Sequence, residues 1–202
     1  QKCCSVFHCN ESLGEKNSVK KAEQELKNRY ESLENKYDKF LAENYDYKAN
    51  TYETNKINLL SNPTSLYAKQ PTVYYGLMYL AKNAKKEVKI HTPYIICNDY
   101  MYNELKNIKV PTTIMTNSAE NNGNIFGAVD YLNHKKDIIN TGVTIKEYEG
   151  GISYHGKSMT IDDDIAIVGS FNMDMRSAYI DTELMLVINS KDINKQLEEG
   201  MM

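Results

Sequence analysis

Apolar positions recur along the chain with two spacings, and the two spacings predict different secondary structure. A spacing of three and four residues predicts helices over residues 12–45, 73–84, 100–108 and 125–140. Short β-rich runs predict strands over residues 87–96, 111–116, 143–148, 154–161, 165–170 and 183–188. Strands and helices alternate after residue 60, which predicts an α/β (α+β) fold with helices packed on a central sheet. The last three strands lack long helices between them, so we expect a mixed sheet.

The N-terminal helix has one apolar stripe and a face rich in Lys and Glu. Ser12 and Glu15 fit a capping box at its start. We expect the stripe to pack on another domain or on the chain's own core, with a coiled-coil seam as the alternative; it consists of Val19, Ala22, Leu26, Tyr30, Leu33, Tyr37 and Phe40. Residues 44–62 are polar, so we divide the chain into a helical interdomain or linker segment, residues 1–60, and a main module, residues 61–202.

Composition narrows the class of protein. The 202 residues carry 24 Lys and Arg against 27 Asp and Glu, a net charge of −3, with 41% hydrophobic residues. This is the composition of a soluble globular protein. No apolar run approaches the ~18–20 residues that cross a bilayer, and no signal peptide precedes the first helix. The chain starts at Gln1, from which we expect a piece of a longer protein, so the compartment stays open.

The four cysteines do not have the spacing of a metal site. Cys3, Cys4 and Cys9 lie close to His8, whereas Cys97 lies in a predicted apolar strand. A zinc site would need paired ligands, such as two CxxC units. We therefore expect free thiols and no metal, and the redox state of the N-terminal three stays open.

The candidate catalytic side chains are concentrated between residues 154 and 188. His155 and Lys157 lie two residues apart, so in a strand they project to the same side. Ser170 and Asn172 have the same relation if the next strand continues through them, and the Asp-rich turn 162–164 would fold one strand back on the other. These groups suit a phosphodiester: Lys and Asn bind its oxygens, and His attacks phosphorus or moves a proton.

Two carboxylates accompany this set. Asp162 lies an odd number of residues from His155, so we interpret it as structural or as holding neighbouring chain, and not as a phosphate ligand. Glu183 begins a buried strand and needs a partner there. A hydrogen bond to one nitrogen of His155 would fix the tautomer and leave the other nitrogen free to react.

The same residues carry a family resemblance. The stretch from His155 to Asp162 and the stretch from Gly169 to Asn172 resemble the HxKxxxxD…GSxN signature of the phospholipase D superfamily. Asn172 and Glu183 follow His155 by 17 and 28 residues, as in modules of that family. Two further stretches resemble its cardiolipin synthase branch, namely Thr92-Pro93-Tyr94 and Asp174-x-Arg176-Ser177.

The resemblance implies a phospholipase D-like fold and catalysis through a phosphohistidine, without metal or cofactor. One histidine attacks phosphorus and a second protonates the leaving alcohol; water or another alcohol then accepts the phosphoryl group. The implied substrate is a phospholipid or another phosphodiester, and a membrane-associated parent protein follows from the branch resemblance alone. The implied catalytic set is His155, Lys157, Asp162, Ser170, Asn172 and Glu183.

Such a site needs two motifs, and this chain has one. His8, His91 and His134 lack a Lys two residues on, so none begins a second motif. We favour the half of a two-motif enzyme whose other half lies elsewhere in the parent chain. The alternatives are a phosphodiesterase or endonuclease completed by a second copy, and an inert fragment or interaction module. The pI near 5.9 argues against nucleic acid as the partner.

Other chemical interpretations of these residues are weaker. His91 lies in an apolar run, as structural histidines do. The turn 162–164 lacks the Gly and distal Glu of a calcium loop. Met173 and Met175 are expected to pack in the core or at its rim. Substrate head group, hydrolysis or transfer, and the role of His155 as nucleophile or acid are left open by the sequence.

Overall fold

The computed structural model describes residues 16–36 and 46–201, and the chain divides into two units, Gln1–Thr51 and Tyr52–Met202. In the first unit, helix α1 (Asn17–Lys36) has no buried residue. The residues of the apolar stripe that lie in α1 are exposed. That the stripe packs on another domain or on the chain's own core stays a prediction. The predictions for eight further residues lie outside the described residues: Cys3, Cys4, His8, Cys9, Ser12, Glu15, Tyr37 and Phe40.

The second unit is built on one seven-stranded sheet. Its elements in chain order are β1 (Lys56–Ser61), α2 (Thr72–Lys82), β2 (Val88–His91), β3 (Ile95–Ile96), α3 (Asp99–Lys106), β4 (Thr112–Asn117), α4 (Ile125–Asn140), β5 (Thr144–Tyr148), β6 (Ser158–Ile161), β7 (Ile165–Gly169), β8 (Met173–Asp174), α5 (Met175–Tyr179), β9 (Leu184–Asn189) and α6 (Lys191–Met201). The sheet order is β1-β9-β7-β6-β2-β4-β5, and β3 pairs separately with β8. Strands β2, β4 and β5 are parallel and the other neighbours are antiparallel, so the predicted mixed sheet is confirmed.

Helices cover both faces of this sheet. On one face, cross-strand neighbours Ile90, Ile114 and Met159 meet the apolar sides of α2, α3 and α4 and form the core. On the other face, α6 packs on β6 and β7, and its Asn194 side chain donates to the Ile165 carbonyl at 2.7 Å. The predicted α/β architecture is therefore confirmed. No helix in the described ranges is long and apolar enough to cross a membrane.

Several elements differ from the sequence prediction. Strand β1 pairs with β9, so the sheet begins before residue 61, where the main module was predicted to start. Elements β1, β8, α5 and α6 were not predicted, and the predicted strand 87–96 is two strands, β2 and β3. The predicted strand 154–161 begins only at Ser158, because the backbone of Tyr154 is bonded to the side chain of Asn117 instead of a neighbouring strand.

The hairpin between β6 and β7 is closed by residues 162–164, which confirms the predicted turn. Asp162 has a φ of 52°, a left-handed conformation that Asp tolerates better than most residues. Its carboxylate accepts hydrogen bonds from the backbone N–H groups of Lys85, Lys86 and Glu87 at 2.7–3.2 Å. Burial raises the pKa of Asp162, but these three donors outweigh it and lower the pKa below its ordinary value.

We expect Asp162→Ala to lower the free energy of unfolding by about 1–3 kcal/mol, because three backbone donors lose their acceptor. A carboxyl whose pKa is depressed by folding stabilises the fold above its unfolded pKa of about 3.9 and stops doing so as the pH falls through the folded value. The deficit of the variant should therefore shrink below about pH 4. Urea unfolding at pH 7 and at decreasing pH measures both effects.

Asp163→Ala is the matched control in the same turn. Asp163 forms an exposed ion pair with Lys86, and such pairs contribute about 0–1 kcal/mol. Equal losses in the two variants, or a deficit of Asp162→Ala that does not change with pH, would contradict the anchoring role of Asp162.

Candidate functional site

His155 lies on the loop between β5 and β6. The preceding residue, Tyr154, is held both at its backbone and at its ring. Asn117, at the end of β4, accepts from the Tyr154 N–H and donates to the Tyr154 carbonyl, both at 2.8 Å. The Tyr154 ring stacks on His91 with 3.7 Å between ring centroids. These contacts hold the backbone before His155, while His155 itself remains exposed.

His91 has the environment of a structural histidine, as predicted. Its ring is buried, and its Nδ1 has no hydrogen-bond partner among the described residues. Burial lowers the pKa of His91 to about 4, so the ring is neutral near pH 7. A neutral ring stacks on Tyr154 without the cost of a buried charge.

Lys157 lies against the His155 ring. Its Nζ is 3.0 Å from Nδ1 and 3.3 Å from Nε2, and it donates to the His155 carbonyl at 2.7 Å. An ammonium group is only a donor, so a hydrogen bond to the ring uses a nitrogen lone pair. Burial lowers the pKa of Lys157, and the nearby carboxylates of Glu183 and Asp174 oppose that effect. The structure thus brings together His155 and Lys157 on a loop and not on one face of a strand, since β6 begins at Ser158.

Glu183 is buried, and its carboxylate accepts two serine hydroxyl groups. Ser177 donates to Oε1 at 2.7 Å, and Ser170 donates to Oε2. No hydrogen bond joins Glu183 to His155 in the described part of the chain, so the predicted bond is not formed. Both serines reach the Glu183 carboxylate. The backbone N–H of Ser170, just after β7, donates to the Leu184 carbonyl, and Ser177 is a buried residue of α5.

Asn172 belongs to the same hydrogen-bond network as Glu183, although it does not lie in a strand as predicted. Strand β7 ends at Gly169, and the chain leaves the sheet before Asn172. The backbone N–H and Nδ2 of Asn172 lie 3.3 and 3.4 Å from Ser177 Oγ, and its Oδ1 is buried without a partner in residues 46–201. Ser170 and Asn172 are therefore linked through Ser177 and Glu183.

A second buried carboxylate, Asp174, caps helix α5. Its Oδ1 accepts from the Ser177 N–H at 2.6 Å. Burial raises the pKa of Asp174 above its ordinary value; the Ser177 hydrogen bond opposes this, and the Glu183 carboxylate adds to it. Lys157 is thus a cation near the two buried carboxylates, and it offsets part of their negative charge.

The stretches that resemble the cardiolipin synthase branch meet beside this network. Strands β3 and β8 pair in parallel, and Thr92 Oγ1 accepts from the Met173 N–H at 3.1 Å. Met173 is buried, whereas Met175 is exposed at the surface. The exposed Arg176 forms an ion pair with Asp181 at 3.0 Å.

A pocket of about 370 Å³ with both polar and apolar lining opens at His155. It is lined by Pro93, Tyr94, Asn122, Gly123, Asn124, Ser153 and His155. The amide and hydroxyl groups can bind uncharged or anionic oxygens. Asp162 belongs to a different region, where it holds the 85–87 turn. Within residues 16–36 and 46–201 no group of three or more His, Cys, Asp and Glu could hold a metal ion.

Sequence reasoning missed the residues that support the site. Asn117 and Asn62 are buried single asparagines outside any motif, so no pattern marks them. Asn62 Nδ2 donates to the carbonyls of Ser177 and Asp181 at 2.9 and 3.1 Å and fixes the turn before Glu183. Ser177 was named only in the branch resemblance, without its role as the donor to Glu183.

Comparison with known proteins agrees with this arrangement. Residues 77–201 match the sequence model of the family described as "Cardiolipin synthase, PLD-like domain". The chain belongs to this family. The match runs from α2 to the end of α6, so this PLD-like domain includes the described site and all of the sheet except β1.

The PLD-like domain is similar to bacterial cardiolipin synthases. Cardiolipin synthase 1 of Staphylococcus epidermidis is 32% identical over 131 residues, and cardiolipin synthase of Staphylococcus aureus is 30% identical over 131 residues. Each alignment covers 63% of this chain and 26% of the relative. The chain therefore spans about a quarter of the length of these curated relatives.

Solved structures share the fold of the PLD-like domain. Nuc from Salmonella typhimurium, a phospholipase D family member, superposes with a TM-score of 0.56 at 18% identity, over 72% of this chain and 91% of that chain. Phosphatidylserine synthase of Haemophilus influenzae superposes with a TM-score of 0.54 at 18% identity, over 71% and 37%. The predicted membership in the phospholipase D superfamily, on its cardiolipin synthase-like branch, is confirmed.

We expect Gly169→Ala to destabilise the fold by about 1–3 kcal/mol, as overpacked positions do, and to displace Ser170. A Cβ at Gly169 would collide with the Leu184 carbonyl oxygen and lie 2.6 Å from Met185 Sδ. Urea unfolding measures the loss. Gly200→Ala in α6 meets nothing within 4 Å and should leave stability equal or raise it by up to about 1 kcal/mol. A Gly169→Ala variant as stable as Gly200→Ala would contradict the packing described.

Proposed function

We propose that this chain is one catalytic half of a phospholipase D-type enzyme that cleaves or transfers a phospholipid phosphodiester through a phosphohistidine. Membership in the cardiolipin synthase, PLD-like family supports this proposal. The single observation that carries it is the Lys157 ammonium 3.0 Å from the ring of His155, which itself lines a pocket. The pair supplies a nucleophilic nitrogen and a cation for phosphate oxygens at one place.

The proposed reaction has two balanced steps. A His155 nitrogen attacks phosphorus, a P–N bond forms, and the P–O bond to the leaving alcohol breaks as a second imidazole gives that alcohol a proton. Water or another alcohol then attacks phosphorus and loses its proton to the second imidazole, and the P–N bond breaks. Lys157 and Asn172 bind the non-bridging oxygens in both transition states, the ammonium by offsetting their charge and the amide by donating a hydrogen bond.

The second imidazole comes from outside the described PLD-like domain. His91 is buried under Tyr154, and His134 is bonded to the Asp130 carbonyl on α4 at 3.0 Å. We propose that the other motif half of a longer protein supplies it, or a second copy of this chain. The contact with Lys157 occupies the one ring lone pair of a neutral His155, so this lone pair attacks phosphorus only after the Lys157 ammonium has moved to the phosphate oxygens.

We expect His155→Ala to reduce head-group release from phosphatidylglycerol in mixed micelles by at least about a hundredfold, because the reacting imidazole is lost. Lys157→Met should reduce it by about a hundredfold through loss of the cation. His134→Ala, on exposed α4 surface, is the matched control and should retain activity. EDTA should change none of these rates, since the proposed steps use no metal.

The molar mass of the same samples should be measured by light scattering at the assay concentration. A dimer can carry two imidazoles and should show activity by itself; a monomer should become active when the rest of the longer protein is joined to it. Activity that survives His155→Ala in the active assembly, or that EDTA removes, would overturn the proposal. Cleavage of DNA with no action on phospholipid would favour the endonuclease alternative.

A further inference from the structure

Helix α1 carries its apolar stripe on the outside. None of its twenty residues is buried, and its four large apolar side chains are 38–67% exposed: Val19, Leu26, Tyr30 and Leu33. Ion pairs between successive turns, such as that of Lys27 with Glu23 at 2.9 Å, add little to the stability of a helix. Most helical stability in proteins comes from packing of the apolar face, so we expect this stripe to have a partner.

The spacing of the stripe is that of a coiled coil. Leu26, Tyr30 and Leu33 follow one another by four and three residues, and the sequence continues this alternation with Tyr37 and Phe40. An average of 3.5 residues is the repeat of a left-handed coiled coil. In the heptad notation abcdefg, Tyr30 is at an a position, and Leu26 and Leu33 are at d positions. We call the four exposed apolar residues of α1 the seam: Val19, Leu26, Tyr30 and Leu33.

The charges beside the seam favour a second copy in parallel orientation. In a parallel pair, each g side chain faces the e side chain five residues further on in the other helix. Arg29 is at a g position and Glu34 is at that e position, so two copies form two Arg29–Glu34 pairs. In an antiparallel pair, g positions face g positions, which brings Arg29 against Arg29 or Lys36 of the second copy.

Arg29 is able to reach a second helix. It forms an ion pair with Glu25 of its own helix at 2.6 Å, but its side chain is 72% exposed. A guanidinium group has five N–H donors, so it can bind a carboxylate of each helix. Charge complementarity therefore distinguishes the parallel arrangement from the antiparallel one.

One polar residue interrupts the seam. Glu23 is at the a position between Val19 and Leu26, and a polar residue there lowers the stability of a coiled coil while fixing its register. The ion pair with Lys27 offsets part of the charge that two Glu23 side chains bring together. At a rise of about 1.5 Å per residue, α1 is about 30 Å long, close to three heptads. We therefore expect a dimer that dissociates on dilution.

We propose that α1 pairs with α1 of a second copy of this chain as a parallel two-stranded coiled coil. This selects the coiled-coil alternative for the stripe. Parallel helices end at the same end of the pair, so both chains continue from there toward their PLD-like domains. The consequence for catalysis rests on the proposed function: each copy brings one His155, and the second copy supplies the second imidazole. The pairing itself uses residues of α1 alone.

The first test is the molar mass of the whole chain by light scattering over a series of micromolar concentrations. We expect Leu26→Gln combined with Leu33→Gln to raise the Kd of the dimer by about a hundredfold or more, since four apolar side chains lose their burial. Glu23→Leu should lower the Kd by about tenfold, because it replaces the polar residue of the seam. All three positions lie in α1, so urea unfolding of the PLD-like domain should be unchanged.

Charge exchange tests the orientation. Arg29→Glu and Glu34→Arg each place like charges opposite one another in a parallel pair, and each should raise the Kd by about tenfold at low salt. Mixing these two variants restores both attractive pairs, so the mixed dimer should form as tightly as the unchanged one. Lys21→Glu, at an f position away from the seam, is the matched control with the same change of charge and should leave the Kd unchanged.

Three outcomes would overturn the inference. A chain that is monomeric at every concentration would assign the stripe to another part of a longer protein. A dimer that survives the Leu26 and Leu33 substitutions would place the interface elsewhere. A dimer that Arg29→Glu tightens would be antiparallel. His155→Ala should dimerise like the unchanged chain, so failure of the proposed chemistry and failure of the pairing give different results.

Discussion

A buried carboxylate with two serine donors holds the three segments of the site together. Glu183 directly precedes β9, Ser170 follows β7, and Ser177 lies in α5, so one carboxylate joins the end of β7 to helix α5. A buried carboxylate without these hydroxyls would be costly, because its desolvation would not be compensated. Asn62, directly after β1, donates to two carbonyls of the turn before Glu183. The end of the first strand therefore also supports the site.

The proposed reacting pair, His155 and Lys157, lies outside that network, on a loop whose backbone is held by hydrogen bonds. Asn117 and the ring of His91 hold Tyr154, so the exposed His155 and the half-buried Lys157 follow a fixed residue. Support of this kind is what accurate positioning of reacting atoms requires. The site has one imidazole of this kind and the chain spans about a quarter of its relatives, which is consistent with half of a composite site.

Much of the fold was predictable from the sequence, because it depends on local pattern. Periodicity located α2, α3, α4 and most strands, and His155 and Lys157 are in contact, although on a loop and not on the predicted strand. The supporting contacts were not predictable. Asn62 reaches Ser177 across 115 residues, and Glu183 has serine partners and not His155, since strand parity says nothing about where a chain leaves its sheet.

The most direct measurement is peptide mass spectrometry after brief exposure to bis-p-nitrophenyl phosphate, with a quench that avoids acid because P–N bonds are acid-labile. Here the P–N bond forms as nitrophenolate leaves, and that leaving group needs no proton, so the step does not require the second imidazole. We predict a nitrophenyl phosphate adduct on His155 that is absent from His155→Ala. An adduct on another residue, or none while nitrophenol is released, would contradict covalent catalysis by this histidine.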